Sequence, residues 1–467
     1  MNSSRHTVLI IAAAILVGLA YGGDRSNVRG VGMARTGNET ARGFHALGIN
    51  PANLAIPERG SVSFGLFSVG VNASSNLLSY EIYNNYFTGV PDGSGGRAPK
   101  YLTSADKEKI LDAFPDGSAA TKIDVEYDVL GFGVRTQTFA LGFTTRERMV
   151  GRVDVSRDFA RLFLFGLDST GSSYVFNETN VSAYWWREYN LSYAMRLPLK
   201  LKYPKDILVG LSVKLLRGYG AFLTERYNAS IANERIGTNQ YRASLVFDYL
   251  TKRSGIDLLH EERDPGFSFF PEPAGTGVGV DLGYVAHYGS FSIHGSITDY
   301  GSIEWSRNVV ETYGSYNLTI EDPFEEVNED SVEQAFKGKN RKGSVFSTDL
   351  PTVLRVGVMF DSDSVSGVRR VLGSFSVALG YTQGLNSSMG NTTRPRFALG
   401  IEHRLIPFLP VRTGISLGGK DGFRWSAGFS LDLTNVTLDV GTENAGMLFS
   451  PHSYDMLSIA AGMSMRF

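Results

Sequence analysis

Cysteine is absent from all 467 residues, so the chain has no disulfide framework, no thiol nucleophile and no zinc-thiolate site. A surplus of one charge is missing too. Lys and Arg number 45 against 47 Asp and Glu, a formal net charge of -2, which leaves neither a nucleic-acid footprint nor a disordered acidic chain. Beyond the N-terminal stretch there is no apolar run of the roughly 17 to 25 residues that a spanning helix needs. The seven histidines form no H-x-x-x-H or H-E-x-x-H pair. Gly-x-Ser-x-Gly does not occur at a strand-to-helix turn, and the paired acids Glu261-Glu262 and Glu325-Glu326 read as solvated loop surface. With no converging acid, base, nucleophile or metal ligand, an enzyme is not expected and no cofactor is implied.

What the chain does contain is 53 Gly, 22 Tyr and 29 Phe, a composition suited to many strands and turns. Its first residues carry Arg5, then an apolar run from Val8 to Ala20 closed by small residues. That is the layout of a secretory signal, with cleavage expected after Ala20 or Gly22. The expected organisation is therefore a signal over 1–22, an N-terminal periplasmic or hatch segment over 23–60, and a barrel over 61–467. Triplets of the N-x-S/T type, such as Asn177-Glu-Thr, are inert in a bacterium.

Reading backward from Phe467, Leu457, Ile459, Ala461, Met463 and Met465 alternate with Ser458, Ala460, Gly462, Ser464 and Arg466. The same period of two marks Phe423 to Leu433, Val411 to Gly418, Phe397 to Arg404, Phe375 to Tyr381 and Leu354 to Phe360. It continues through Phe291 to Thr298, Val278 to Ala286, Tyr241 to Tyr249, Ile207 to Leu215, Tyr189 to Leu197 and Phe139 to Arg146. Alternation alone fits a soluble sandwich equally well. The second face decides: it mixes Gly, Ser and Ala with Lys214, Arg242, Asp281, Arg355, Arg412 and Arg424, as a crowded wet lumen requires. His294 falls on that face and reads as a structural lumen histidine. Placing Phe467 at the periplasmic end puts the long insertions, such as Gly301 to Leu350 and Asn72 to Lys122, on the outer side, with short connections inside. The expectation is an all-β, transmembrane antiparallel barrel of 14–16 strands. Sixteen follows if Ala221 to Ala232 is a separate strand, fourteen otherwise.

Short extracellular helices are expected over Tyr101 to Gly117, with Ile110, Leu111 and Phe114 on one stripe, and over Ser156 to Gly166. Phe159, Leu162 and Phe163 on the second helix, with Phe267, Phe269 and Phe270 in the loop before Val278, are candidates for capture of a hydrophobic ligand. Their plain alternative is packing against the rim. Between Val28 and Gly60 strand alternation stops, and the Asn50-Pro51-Ala52 step suits a helix start, with Asn50 as cap.

This Gly/Ala-rich segment ending in Asn-Pro-Ala-x-Leu-Ala resembles the FadL-type outer-membrane long-chain fatty-acid transporters and the related secretion-associated barrels of Bacteroidetes and Chlorobi. The resemblance implies hatch roles for Asn50, Pro51 and Ala52, a fourteen-strand barrel in the bacterial outer membrane, and passage of hydrophobic molecules through the lumen and an opening in the wall. The expected function is passive transport of hydrophobic or amphipathic small molecules, with outer-membrane lipid as surroundings and no nucleic acid. The alternatives are a non-transporting barrel that anchors or shuttles partners of a secretion system, and a soluble adhesin-like sandwich.

Overall fold

The computed structural model describes residues 27–467, apart from 77–79, 92, 94–95, 99, 113, 115–116, 168–171, 200–201, 239, 256–271, 322–337, 421 and 450–455. The signal over 1–22 lies outside the described residues, as do Phe267, Phe269 and Phe270. Among the described residues no helix is long and apolar enough to cross a membrane. The chain is built of strands instead. The first five of the ring are β1 (Val62–Ser75), β2 (Ser118–Arg135), β3 (Phe139–Ser156), β4 (Asn180–Arg196) and β5 (Asp206–Gly237). Then come β6 (Gly275–Tyr288), β7 (Phe291–Trp305), β8 (Val353–Asp361), β9 (Ser374–Gly384) and β10 (Arg396–Ile406). The last four are β11 (Leu409–Gly418), β12 (Arg424–Leu433), β13 (Val436–Thr442) and β14 (Met456–Arg466).

Each strand pairs antiparallel with its neighbour in this order, and β14 pairs back onto β1 from Ser63↔Arg466 to Ser74↔Met456. The barrel is therefore closed, with 14 strands. At the seam the carbonyl of Phe467 accepts the N–H groups of both Ser61 and Val62, at 2.6 and 3.0 Å. Gly60 turns the chain into that seam at φ +77°, where a Cβ would run into the Phe467 carbonyl.

The faces are inverted relative to a water-soluble core. On β14 Ser458, Ala460 and Ser464 are buried, whereas Leu457 and Ile459 point outward, 41% and 53% exposed. Leu191, Leu215, Leu379, Phe397 and Leu417 continue this outer belt around the ring. Each such side chain left in water forgoes roughly 1.5–3 kcal/mol of burial. A closed sheet leaves no unpaired edge, the arrangement a strand protein needs in hydrocarbon, and this one carries its apolar belt on the outer face.

The sixteen-strand alternative falls. Ala221 to Ala232 is the upper part of β5, which runs 32 residues without a break. Tyr241 to Tyr249 belongs to Gln240–Gly255, which pairs with that extension and then with Val310–Glu321, outside the ring. These strands make a sheet standing off the loop end of the barrel, flanked on one side by Ser173–Val175 and on the other by Lys339–Lys342. Its apolar face carries Ala229, Ala243, Leu245 and Phe247 against Tyr174 and Phe176. Both expected helices form. Ser104–Asp112 starts at Thr103, whose Oγ1 accepts from Asp106 N, and packs through Ile110 and Leu111. Arg157–Phe165 is capped by Ser156 and ends at Gly166, φ 75°. Not every inner connection is a short turn: the one between β8 and β9 holds a helix at Ser366–Leu372.

Candidate functional site: the lumen and its inner segment

Residues 27 to 56 lie inside the ring. They form short helical turns at Val28–Gly32, Gly37–Thr40, Gly43–Ala46 and Pro51–Ala55, almost entirely buried. The first starts at Asn27, whose side chain accepts from Gly30 N at 2.8 Å. The last starts at Asn50, which accepts from Ala52 N at 3.1 Å, with Pro51 in the first position. None is long enough to be stable alone. The wall holds them.

Glycines facing inward on successive strands let this backbone approach. The Phe44 ring sits on Gly65 of β1 and Gly131 of β2; a Cβ on Gly142 would stand 2.8 Å from Leu47 Cδ1, and one on Gly400 2.6 Å from the Met33 carbonyl. No real Cβ tolerates such distances. On the β5–β7 side Asn50 donates to Asn38 Oδ1 (3.0 Å) and to the Gly295 carbonyl (3.3 Å), while Asn53 meets His294 Nδ1 at 3.0 Å. On the β10–β13 side the ties are ionic. Arg29 pairs with Glu402 at 2.8 Å, Arg412 bridges Glu402 (2.7 Å) and Asp439 (3.0 Å), and Arg35 pairs with Glu443. Between them Glu39 is buried with its Oε1 held by Asn38 and its Oε2 lacking a hydrogen bond. Burial pushes its carboxyl up to about 7.

Above this segment the lumen carries an ionic layer. Arg148, fully buried, faces Glu126 (3.6 Å), Glu188 (3.3 Å) and Asp299 (3.4 Å); Lys214 pairs with Asp281 (2.7 Å) and Asp299. Higher still is an apolar layer of Trp186, Leu216, Ile303, Trp305, Leu350 and Met389. Met389 enters from the loop after β9, in a left-handed backbone conformation. Below the segment a cavity of ≈ 320 Å³ opens among Arg29, Arg42, Glu58, Glu402, Arg404 and Asp432.

The wall itself is irregular at one place. Against β14 the register of β1 slips at Leu66, and against β3 that of β2 slips at Val129. Between β1 and β2 the pairing passes from Gly65↔Gly131 to Ser68↔Asp128, leaving Leu66, Phe67, Val129 and Leu130 outside the ladder. These bulges sit level with Phe44.

The sequence-derived candidates are thus divided. Asn50, Pro51 and Ala52 lie together inside the ring, Pro51 and Ala52 against Gly210, and Asn50 against Gly283. Phe159 and Leu162 pack toward Phe176 and the outer sheet, whereas Phe163 is 78% exposed. The bulged pair of strands and the ionic ties of Arg29 and Arg35 escaped the sequence reading, because neither has a spacing signature.

Among solved structures, the chain is similar to the toluene transporter TbuX of Ralstonia pickettii (12% identity, 95% of this chain and 99% of that one, TM-score 0.47). A FadL homologue of Pseudomonas aeruginosa (13%, 95% and 98%, 0.48) and the toluene transporter TodX of Pseudomonas putida (10%, 96% and 99%, 0.44) are similar to the same degree. At that distance no residue role or cargo is transferred. No curated protein matches the sequence. Residues 51–443 match the model of the family described as "Family of unknown function (DUF5723)", and the chain belongs to that family.

Proposed function

We propose that the protein is an outer-membrane barrel that passes hydrophobic or amphipathic small molecules into the wall, between β1 and β2, rather than along the axis. The supporting observation is the pair of neighbouring bulges at Leu66 and Val129, where the β1–β2 pairing is interrupted for two residues on each strand while Phe67 and Leu130 keep their partners on β14 and β3. The axis is a poor route for an apolar solute. It would have to displace the buried charges around Arg148 and Lys214, each costly to leave unpaired. A solute entering from the mouth would instead leave sideways, with Phe44 and the hatch around Asn50-Pro51 moving away from the inner side of the gap.

The chain lacks cysteine, so a Phe67→Cys/Val129→Cys pair would be the protein's own lock. Cells expressing it should take up labelled aromatic hydrocarbons or fatty acids only after reduction, while the parent does so throughout. Equal uptake with and without the gene, across a broad panel, would end the transport reading. It would favour the second one, a barrel that anchors partners, for which the sealed axis and the sheet standing off the loop end already speak.

A further inference from the structure

The cavity of ≈ 320 Å³ below the inner segment lies toward the end of the ring where Ser61 meets Phe467. It is at the small end of ligand pockets, which run from about 300 to 1,000 Å³. The inner segment gives it Arg42, the wall gives it Met359 and Ser376, and its rim carries Asp361 and Asp432. Arg42 is fixed there without being neutralised. Its Nη1 donates to the backbone carbonyls of Glu39 (2.7 Å) and Ala41 (2.8 Å), and its Nη2 rests on the Met359 sulfur at 3.4 Å. Among the described residues no carboxylate stands within 4.0 Å of it. A guanidinium has five N–H groups; three are used, one of them on a weak sulfur acceptor, and two are left.

Ser376 supplies an independent observation. It is 7% exposed, lines the same cavity, and its hydroxyl has no hydrogen-bond partner. A buried polar group left in this way is costly unless something meets it. β8 and β9 pair Asp361 with Ser376 and Met359 with Ala378, which makes Ser376 the diagonal neighbour of Met359, within reach of a guanidinium lying on that sulfur. The buried carboxylate next along this row, Glu402, is already shared by Arg29 (2.8 Å), Arg404 (3.2 Å) and Arg412 (2.7 Å). Arg42 and Ser376 therefore hold donors toward one small space, and the wall offers them no anion of its own.

We propose that this cavity is a binding site for a small polar monocarboxylate, whose oxygens accept from the two remaining N–H groups of Arg42 and from the Ser376 hydroxyl. The planar guanidinium fork matches a carboxylate, and a hydrogen bond between ionised partners is about twice as strong as a neutral one. A single negative charge is the limit. Asp361 and Asp432 on the rim have no cation within 4.0 Å among the described residues, and they repel a second one. The site lies below the inner segment and off the lateral route, so it stands whether or not the barrel transports.

The test is titration calorimetry on the full-length protein in neutral detergent, at about pH 7.5 and about 150 mM sodium chloride, where loose attraction between exposed charges is screened. The probes are sodium lactate, its uncharged amide lactamide, and the dianion malonate. Lactate should bind, lactamide should not, and malonate should bind at least tenfold more weakly than lactate. Arg42→Gln should weaken lactate tenfold or more while the barrel keeps its heat-modifiable mobility on a gel. Ser376→Ala should weaken it threefold or more without lowering the unfolding temperature, because it removes a hydroxyl that has no partner in the empty protein; a misfolded variant would not separate the two readouts. Equal binding of lactate and lactamide, malonate binding tighter than lactate, or parent-like lactate binding in both variants overturns the proposal. A barrel that binds lactate yet raises uptake of no compound keeps this site and loses the transport reading.

Discussion

Glu39 shows how a single buried group ties the inner segment to pH. Its ordinary pKa is 4.5, and burial lifts it to about 7. A carboxyl raised in this way favours the folded arrangement fully below about pH 4.5 and loses that preference as pH climbs through 7. The urea midpoint of the parent should therefore fall between pH 5 and pH 8, and Glu39→Gln should flatten that fall; identical profiles would show that Glu39 plays no such part. Lys214 makes the opposite point. Replacing it with Met removes the ammonium beside buried Asp281 and leaves Asp299 to Arg148, a loss of about 3–5 kcal/mol in a denaturation series. The lumen side of Lys214 and Asp281 was legible from alternation. Their partnership was not, since Arg148 on β3, Lys214 on β5 and the Asp281–Asp299 hairpin of β6 and β7 are separated by long stretches of chain, and a period of two says which face a residue takes but not what stands opposite.

At the scale of elements, the alternation marked every barrel strand except β1, β2 and β13, yet it also marked Tyr241 to Tyr249. A sheet covered on one face by a helix and wet on the other has the same period as a membrane strand, and here Leu245 and Phe247 face Tyr174 and Phe176 instead of lipid. The Gly220↔Gly255 pair closes the base of that outer hairpin. Excising 221–254 and joining those two glycines should leave a heat-modifiable barrel, because the ring loses only the uppermost β4–β5 pairs, Tyr184↔Ala221, Ala183↔Phe222 and Ser182↔Leu223; loss of heat-modifiability would mean that the outer sheet and these pairs support the ring. The inner segment was legible as a break in alternation and a helix start at Asn50. Its fit was not, because the glycines that admit it are separated by whole strands. Gly400→Val is expected to push on Met33 and cost about 1–3 kcal/mol through overpacking, read as a lower unfolding temperature of the purified barrel.

For the molecule as a whole, the barrel and its contents divide the work. The ring is set by its outward apolar belt and its closed ladder; the axis is shut by three successive fillings, apolar, ionic and the inner segment. Removing Val28 to Ile56 should raise single-channel conductance in a planar bilayer, and unchanged conductance would mean that the upper two fillings suffice to seal it. The seam at Phe467 has a consequence for biogenesis. Since β14 and Phe467 close the ring onto β1, Ser61 and Val62, a nascent product in which β14 is not yet made carries two bare edges with unpaired amides and carbonyls, each a template for joining a neighbour. The polypeptide must accordingly be escorted, unfinished and apart from its siblings, until its final strand has arrived.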